Sequence, residues 1–184
     1  MTLSENEAPD LRGVNFEAGY IAAIDKPLGW TSTDVVRKIK FALHRLGYRR
    51  IKVGHAGTLD PAATGLMLVG VGAATRLSEY LTGHDKGYDA RIVFGVSTDT
   101  DDAQGRVLAS ADDAELARVM RTADVQSVLD EFTGRLEQLP PAYSAIKKNG
   151  VVAYKAAREG SCIDLEPRPV TVHAARLVAT GVQD

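Results

Sequence analysis

Asp60 is the residue of this chain whose setting best suits chemistry. It lies in the run Gly54-His55-Ala56-Gly57-Thr58-Leu59-Asp60-Pro61-Ala62-Ala63-Thr64-Gly65, which combines one carboxylate, one histidine and three glycines in twelve residues. Glycine tolerates backbone conformations closed to other residues, and Pro61 biases Asp60 toward an extended backbone. A carboxylate on so restrained a loop, here read as joining a helix to a strand, is well placed for chemistry. The plain alternative is an Asp-Pro turn with a capping histidine.

Two basic stretches accompany this loop. Arg37, Lys38, Lys40, Arg45, Arg49, Arg50 and Lys52 occur without an intervening acid, with His44 and Tyr48 among them, and run directly into it. Such a run is either a solvated helix face or a phosphate-contacting patch. Further on, Lys147, Lys148, Tyr154, Lys155 and Arg158 mix aromatic and basic side chains, which suits RNA better than a protein interface. Other chemistries fail on inspection. In the acidic segment Asp99-Thr100-Asp101-Asp102-Ala103-Gln104-Gly105, Ala103 and Gln104 stand where an EF-hand needs a ligand and a glycine, and the closing glutamate is missing. His44, His55, His84 and His173 are scattered and Cys162 is alone, so no metal site is expected. Gly70-Val71-Gly72-Ala73-Ala74-Thr75 lacks the third glycine of a dinucleotide fingerprint.

The elements that must position these residues follow from periodicity and punctuation. Residues 1–18 carry no periodic signal and read as a flexible, acidic leader. Gly19-Tyr20-Ile21-Ala22-Ala23-Ile24 reads as a buried strand ending in the turn Asp25-Lys26-Pro27-Leu28-Gly29-Trp30. Thr31 or Ser32 offers a helix N-cap, Val35, Ile39, Leu43 and Leu46 follow at helical spacing, and Gly47 supplies the stop. Residues 66–71 are expected as a strand, 74–81 as a helix and 88–96 as a strand with one buried face, carrying Tyr88. Helices are expected over 112–120 and 125–132, an extended segment over 138–150 and a short helix over 152–158. A final strand is expected to include 168–172 and 175–179.

Composition bounds the classes open to the chain. A length of 184 residues suits one domain with a proper core, and 45% hydrophobic with 25% charged residues is ordinary for a globular protein. A net charge of −2 gives no global sign of a nucleic-acid partner, so any such claim rests on local patches. A lone cysteine argues for a reducing compartment. No stretch reads as a membrane span or a secretory signal, and a cytoplasmic location is expected.

Taken in order, these segments resemble the TruB family of pseudouridine synthases. The 54–65 loop is similar to its active-site motif, and Asp25-Lys26-Pro27-Leu28-Gly29-Trp30-Thr31-Ser32, Asp85-Lys86-Gly87-Tyr88 and the segment from Thr98 to Gly105 match in the family's order. Pro140-Pro141-Ala142-Tyr143-Ser144-Ala145-Ile146-Lys147, with Ala156, Arg158 and Gly160, resembles the bacterial tRNA-modifying branch. The resemblance covers nearly everything from residue 19 onward. It implies an α+β fold, a mixed and mostly antiparallel sheet flanked by helices, with residues 19–184 as the catalytic domain. It implies isomerisation of a uridine to pseudouridine in the T stem-loop of tRNA, with no cofactor or metal, by a monomer with no obligate protein partner and no membrane. By similarity Asp60 is the essential carboxylate and Tyr88 stacks on the target base. His55 packs against displaced nucleotides, Asp102 joins a charge network near the site, and Lys26 and Pro27 support the loop. Arg37, Lys40, Arg49, Arg50, Lys147, Lys148 and Arg158 would grip the RNA arm.

The family pattern continues into a Gly-Thr-Tyr-Ile-Arg segment whose arginine pairs with the catalytic aspartate, followed by a small C-terminal domain. No such segment occurs between Val170 and Asp184, so the fold is expected to be C-terminally incomplete. Two alternatives to tRNA isomerisation are an RNA-binding fragment without turnover and guide-dependent pseudouridylation of other RNA.

Overall fold

The computed structural model describes residues 11–141, 147–148, 151–152, 161 and 165–181, with the backbone alone at 147–148 and 151–152. The architecture is α+β, and every strand pairing among the described residues is antiparallel. The chain divides into two compact units, Met1–Asp89 and Ala90–Asp184, where sequence suggested one domain.

In the first unit, strand β1 (Tyr20–Lys26), helix α1 (Ser32–Arg45), β2 (Val53–Ala56) and β3 (Gly65–Val71) form a sheet of order β1-β3-β2 with its helix. The register pairs Tyr20 with Val71 and Lys26 with Gly65 on one side of β3, and Val53 with Val71 and Ala56 with Leu68 on the other. Strand β3 is central, and its inward residues Met67, Val69 and Val71 are buried while Leu66 is exposed. That alternation is what a sheet with one covered face requires. Val35 and Leu43 of α1 pack with Val53, Met67, Val69 and Val71, and Ile39 borders the cluster. Leu46, expected on the same stripe, follows the last helical turn and is exposed.

Part of the expected leader belongs to this core. Phe16 is buried, edge-on to Tyr20 and Tyr48 at ring distances of 5.6 and 5.5 Å, and the Tyr48 hydroxyl donates to the Val14 carbonyl at 3.3 Å. Burying one aromatic ring overrides the absence of periodicity around it. After β3 the chain turns at Gly72 (φ +61°), where a Cβ would collide with the Phe16 carbonyl oxygen. The helix expected over 74–81 is a 3-10 turn, Gly72–Leu77, followed by α2, Ser78–Thr82.

In the second unit, β4 (Val96–Thr98) pairs with β5 (Val107–Ser110), and β6 (Gly134–Gln138) with β9 (Arg168–Val172). Between them lie α3 (Asp113–Thr122), capped by Asp112, and α4 (Val125–Glu131), capped by Asp124. A two-residue pair joins β7 (Lys147–Lys148) to β8 (Val151–Val152). The expected strand over 88–96 forms only from Val96. Ile92, Val93 and Phe94 are all exposed, and no described strand offers that stretch a hydrogen-bonding edge. Alternation makes a strand possible; a partner makes it real. Residues 175–179 likewise are not a strand. They are tied to α4 by Gln126, whose side chain donates to the Ala175 carbonyl at 3.1 Å and accepts from Leu177 N–H at 2.9 Å. The helix expected over 152–158 lies outside the described residues. Among those described, no helix is long and apolar enough to cross a membrane.

Candidate active site

Asp60 sits in the loop 57–64, which closes the β2–β3 hairpin. The loop therefore joins two paired strands, not a helix and a strand. The difference matters because both of its ends are held in one antiparallel sheet, Ala56 against Leu68 and Gly65 against Lys26. Gly57 (φ +105°) and Gly65 (φ +119°) flank it in conformations that L side chains rarely adopt. Inside the first bend, His55 Nδ1 lies 2.8 Å from the Gly57 carbonyl oxygen. As an N–H donor there, the imidazole closes the bend.

The turn that precedes α1 clamps the rest of the loop. Ser32 is buried, and its Oγ both donates to the Leu59 carbonyl at 3.0 Å and accepts from Leu59 N–H at 2.9 Å. On the other side of Asp60, Gly29 N–H donates to the Pro61 carbonyl at 2.8 Å, and within the loop Ala63 N–H donates to the Asp60 carbonyl at 3.0 Å. The clamping turn is itself fixed. Lys26 is fully buried, and its Nζ donates to the carbonyls of Pro27 (3.0 Å) and Trp30 (2.7 Å). Thr31 and Asp34 close a reciprocal capping box at the start of α1. The Thr31 hydroxyl and N–H hold the Asp34 carboxyl below its usual range, with Arg37 adding a smaller effect.

The backbone on either side of Asp60 is thus pinned while the residue itself is exposed. Among the described residues no hydrogen bond or ion pair engages its carboxylate. The carboxylate is presented, not consumed by the fold. Ser32, which the sequence offered only as an alternative N-cap to Thr31, is instead the residue that positions the loop. With two adjacent hydroxyls at the helix start, one caps the helix and the other is left to reach across to the loop.

The other expected site residues fall in different places. Arg37, Lys40, Arg49 and Arg50 are exposed, with Arg37 paired to Asp34 at 3.0 Å. Tyr88 follows α2 at the end of the first unit and is 70% exposed. Asp102 belongs to the second unit and builds the β4–β5 turn. Its Oδ1 accepts from the Thr100 hydroxyl at 2.7 Å and from Gln104 N–H at 2.8 Å, while Thr98 Oγ1 donates to its carbonyl at 2.7 Å. The Thr100 hydroxyl, then Gln104 N–H, hold its carboxyl below the usual range. The backbone of Lys147 and Lys148 lies in β7, and Arg158 lies outside the described residues. No group of three His, Cys, Asp or Glu side chains among the described residues could hold a metal.

Fold and site together are an α+β chain that fastens a loop around an exposed aspartate, with a basic helix in the same unit. Comparison with protein families matches residues 44–183 to the TruB family pseudouridylate synthase (N terminal domain). Among curated proteins, the chain is 43% identical over 178 residues to the tRNA pseudouridine synthase B of Symbiobacterium thermophilum, covering 97% of this chain and 54% of that protein. It is 46% identical to the proteins of the same name from Trichormus variabilis and Thermobifida fusca, covering 81% and 85% of this chain and 47% and 50% of theirs. The chain belongs to the TruB family. It spans about half the length of the curated relatives it matches.

Proposed function

We propose that the protein isomerises a uridine of tRNA, in the T stem-loop, to pseudouridine, with Asp60 as the essential carboxylate. The observation that carries this reading is the clamped loop: backbone hydrogen bonds and Ser32 hold both neighbours of Asp60 while its side chain stays open. Family membership supplies the reaction class. In that reaction the C1′–N1 glycosidic bond breaks, the base rotates, a C1′–C5 bond forms, the C5 proton is lost and N1 gains one. Nothing is oxidised or reduced. The target base must leave its stack first, at a cost of a few kcal/mol that contacts to the flipped nucleotide offset. Tyr88, exposed and aromatic, is proposed to stack on that base, and His55 to pack against displaced nucleotides. Arg37, Lys40, Arg49 and Arg50 are proposed to contact phosphates, with Lys147, Lys148 and Arg158 extending the grip. Asp102 is proposed to contribute charge near the site.

A second reading, RNA binding without turnover, is favoured by one observation: the Asp60 carboxylate lacks a cationic partner among the described residues. A nearby cation would orient it and favour its charged form. Tritium release from a T-arm hairpin carrying 5-tritiated uridine separates the two. Turnover by the 184-residue chain, lost at least about a thousandfold in Asp60→Asn, supports the enzyme. Asp60→Asn should leave stability within about 0.5 kcal/mol, since the side chain is exposed and, among the described residues, has no hydrogen bond or ion pair to lose. Hairpin binding without tritium release by either form supports the second reading. Binding that does not weaken with added salt sinks both.

A further inference from the structure

The exposed side of α1 carries a feature outside the loop. Asp34, Arg37, Lys38 and Phe41 recur at three- and four-residue spacing along one stripe, and Trp30 and Gly29 close it into an open groove of about 510 Å³. Trp30 is 38% and Phe41 61% exposed, so two large rings face solvent within the same groove. The charge beside them is positive. Asp34 is engaged by Thr31 and by Arg37, while Lys38 has no ion-pair partner among the described residues. The groove is also rigidly tied to the Asp60 loop: Lys26 holds the Trp30 carbonyl, and Gly29 N–H holds the Pro61 carbonyl.

We propose that the Trp30–Phe41 groove takes an unpaired base of the bound RNA, stacked on the rings, with Arg37 and Lys38 on its adjoining phosphate. Aromatic rings beside cations are the recurrent means of holding unstacked nucleotides, since every base has a π-face. Trp, Phe and Arg also suit a protein interface, so an acidic protein is the competing occupant that the binding test must exclude. The proposal rests on the RNA reading above and adds a site to it. The groove would hold a nucleotide other than the target, at a position fixed relative to Asp60 by the shared turn.

Trp30 is the only tryptophan of the chain, so its emission reports on the groove and the turn that carries it. The 184-residue chain is titrated with single-stranded oligouridylate and with a T-arm hairpin, following tryptophan emission and the anisotropy of labelled RNA. Saturable quenching that tracks anisotropy is expected. Phe41→Leu and Trp30→Leu should each weaken binding at least about fivefold, the low end of one base stack. Trp30→Phe, which keeps a ring, should stay within about twofold of the unaltered chain. Lys38→Gln should lower the slope of log affinity against log salt by about one. Unchanged unfolding midpoints confirm that these exposed substitutions leave the fold intact. RNA binding with unquenched emission and unchanged affinity in Phe41→Leu overturns the groove and leaves the RNA reading standing. No RNA binding by any form overturns both. Quenching by polyglutamate as strong as by RNA overturns the nucleotide in favour of an acidic protein.

Discussion

Ser32→Ala isolates the clamp on the Asp60 loop. Ser32 is 3% exposed and its hydroxyl makes two hydrogen bonds, of 2.9 and 3.0 Å, to the backbone of Leu59. Each such bond contributes about 0.5–1.5 kcal/mol net, so their sum is roughly 1–3 kcal/mol. Deleting the hydroxyl also leaves the Leu59 N–H and carbonyl unpaired. A fully buried orphan would cost about 1–3 kcal/mol more, but Leu59 is half-buried and water can meet part of its demand. The expected loss is therefore about 2 kcal/mol. For a unit of this size that lowers Tm by about 10 °C. Urea unfolding followed by circular dichroism measures the loss, and an unchanged m value confirms that the denatured state is not its source. Tryptophan emission adds a local probe, since Trp30 stands at the clamping turn. Where turnover is measurable, kcat should fall by about ten- to a hundredfold with KM little changed, because a misplacement of about 1 Å is worth that much. A stability loss below about 0.5 kcal/mol would show that Ser32 does not hold the loop, and would refute the reasoning.

Further outcomes follow from other contacts. Lys26→Met leaves the Pro27 and Trp30 carbonyls without their donor and should destabilise by about 2 kcal/mol, with a shift in Trp30 emission as the turn loosens. Gly72→Ala sets a Cβ against the Phe16 carbonyl at a positive φ. It should cost about 2 kcal/mol or more by urea unfolding, against a fraction of that for an exposed glycine-to-alanine change. Asp34 and Asp102 both have folded pKa values below their ordinary 3.8, so each contributes stability that is present above about pH 4 and lost as pH falls through the lower folded value. The pair Asp34→Asn and Asp102→Asn should flatten the acid limb of the unfolding midpoint below pH 4; an unchanged limb refutes the assignment.

Much of the site was legible in one dimension because its parts are local. Helix α1 carries its start, stripe and stop within a single run: Thr31 and Asp34 cap it, Val35, Ile39 and Leu43 face inward, and Gly47 follows. The Asp60 loop announces itself through glycine and proline, whose backbone preferences do not depend on what surrounds them. Family membership likewise follows from order and spacing along the chain. Elements that need a distant partner were not legible. Residues 88–95 alternate well enough for a strand but have no described edge to pair with, and residues 175–179 lie along α4 through Gln126 instead of extending β9. Phe16 looked like part of a leader, because burial of one ring against Tyr20 and Tyr48 leaves no trace in local periodicity.

By itself the sequence determined helix α1, strand β3, the aspartate at the loop and the family, but not strand β2, whose residues read as part of the loop. Only the tertiary structure decided how that aspartate is held. Ser32 lies 27 positions from Leu59 and shares two hydrogen bonds with it. Gly29 reaches Pro61 through a backbone amide, a group every residue but proline possesses and no sequence pattern marks. Lys26 reads as one more charge until burial turns its ammonium inward onto two carbonyls. Local preference selects a conformation for each segment, but the contacts that fix the Asp60 backbone exist only once the turn before α1 and the β2–β3 hairpin have packed together.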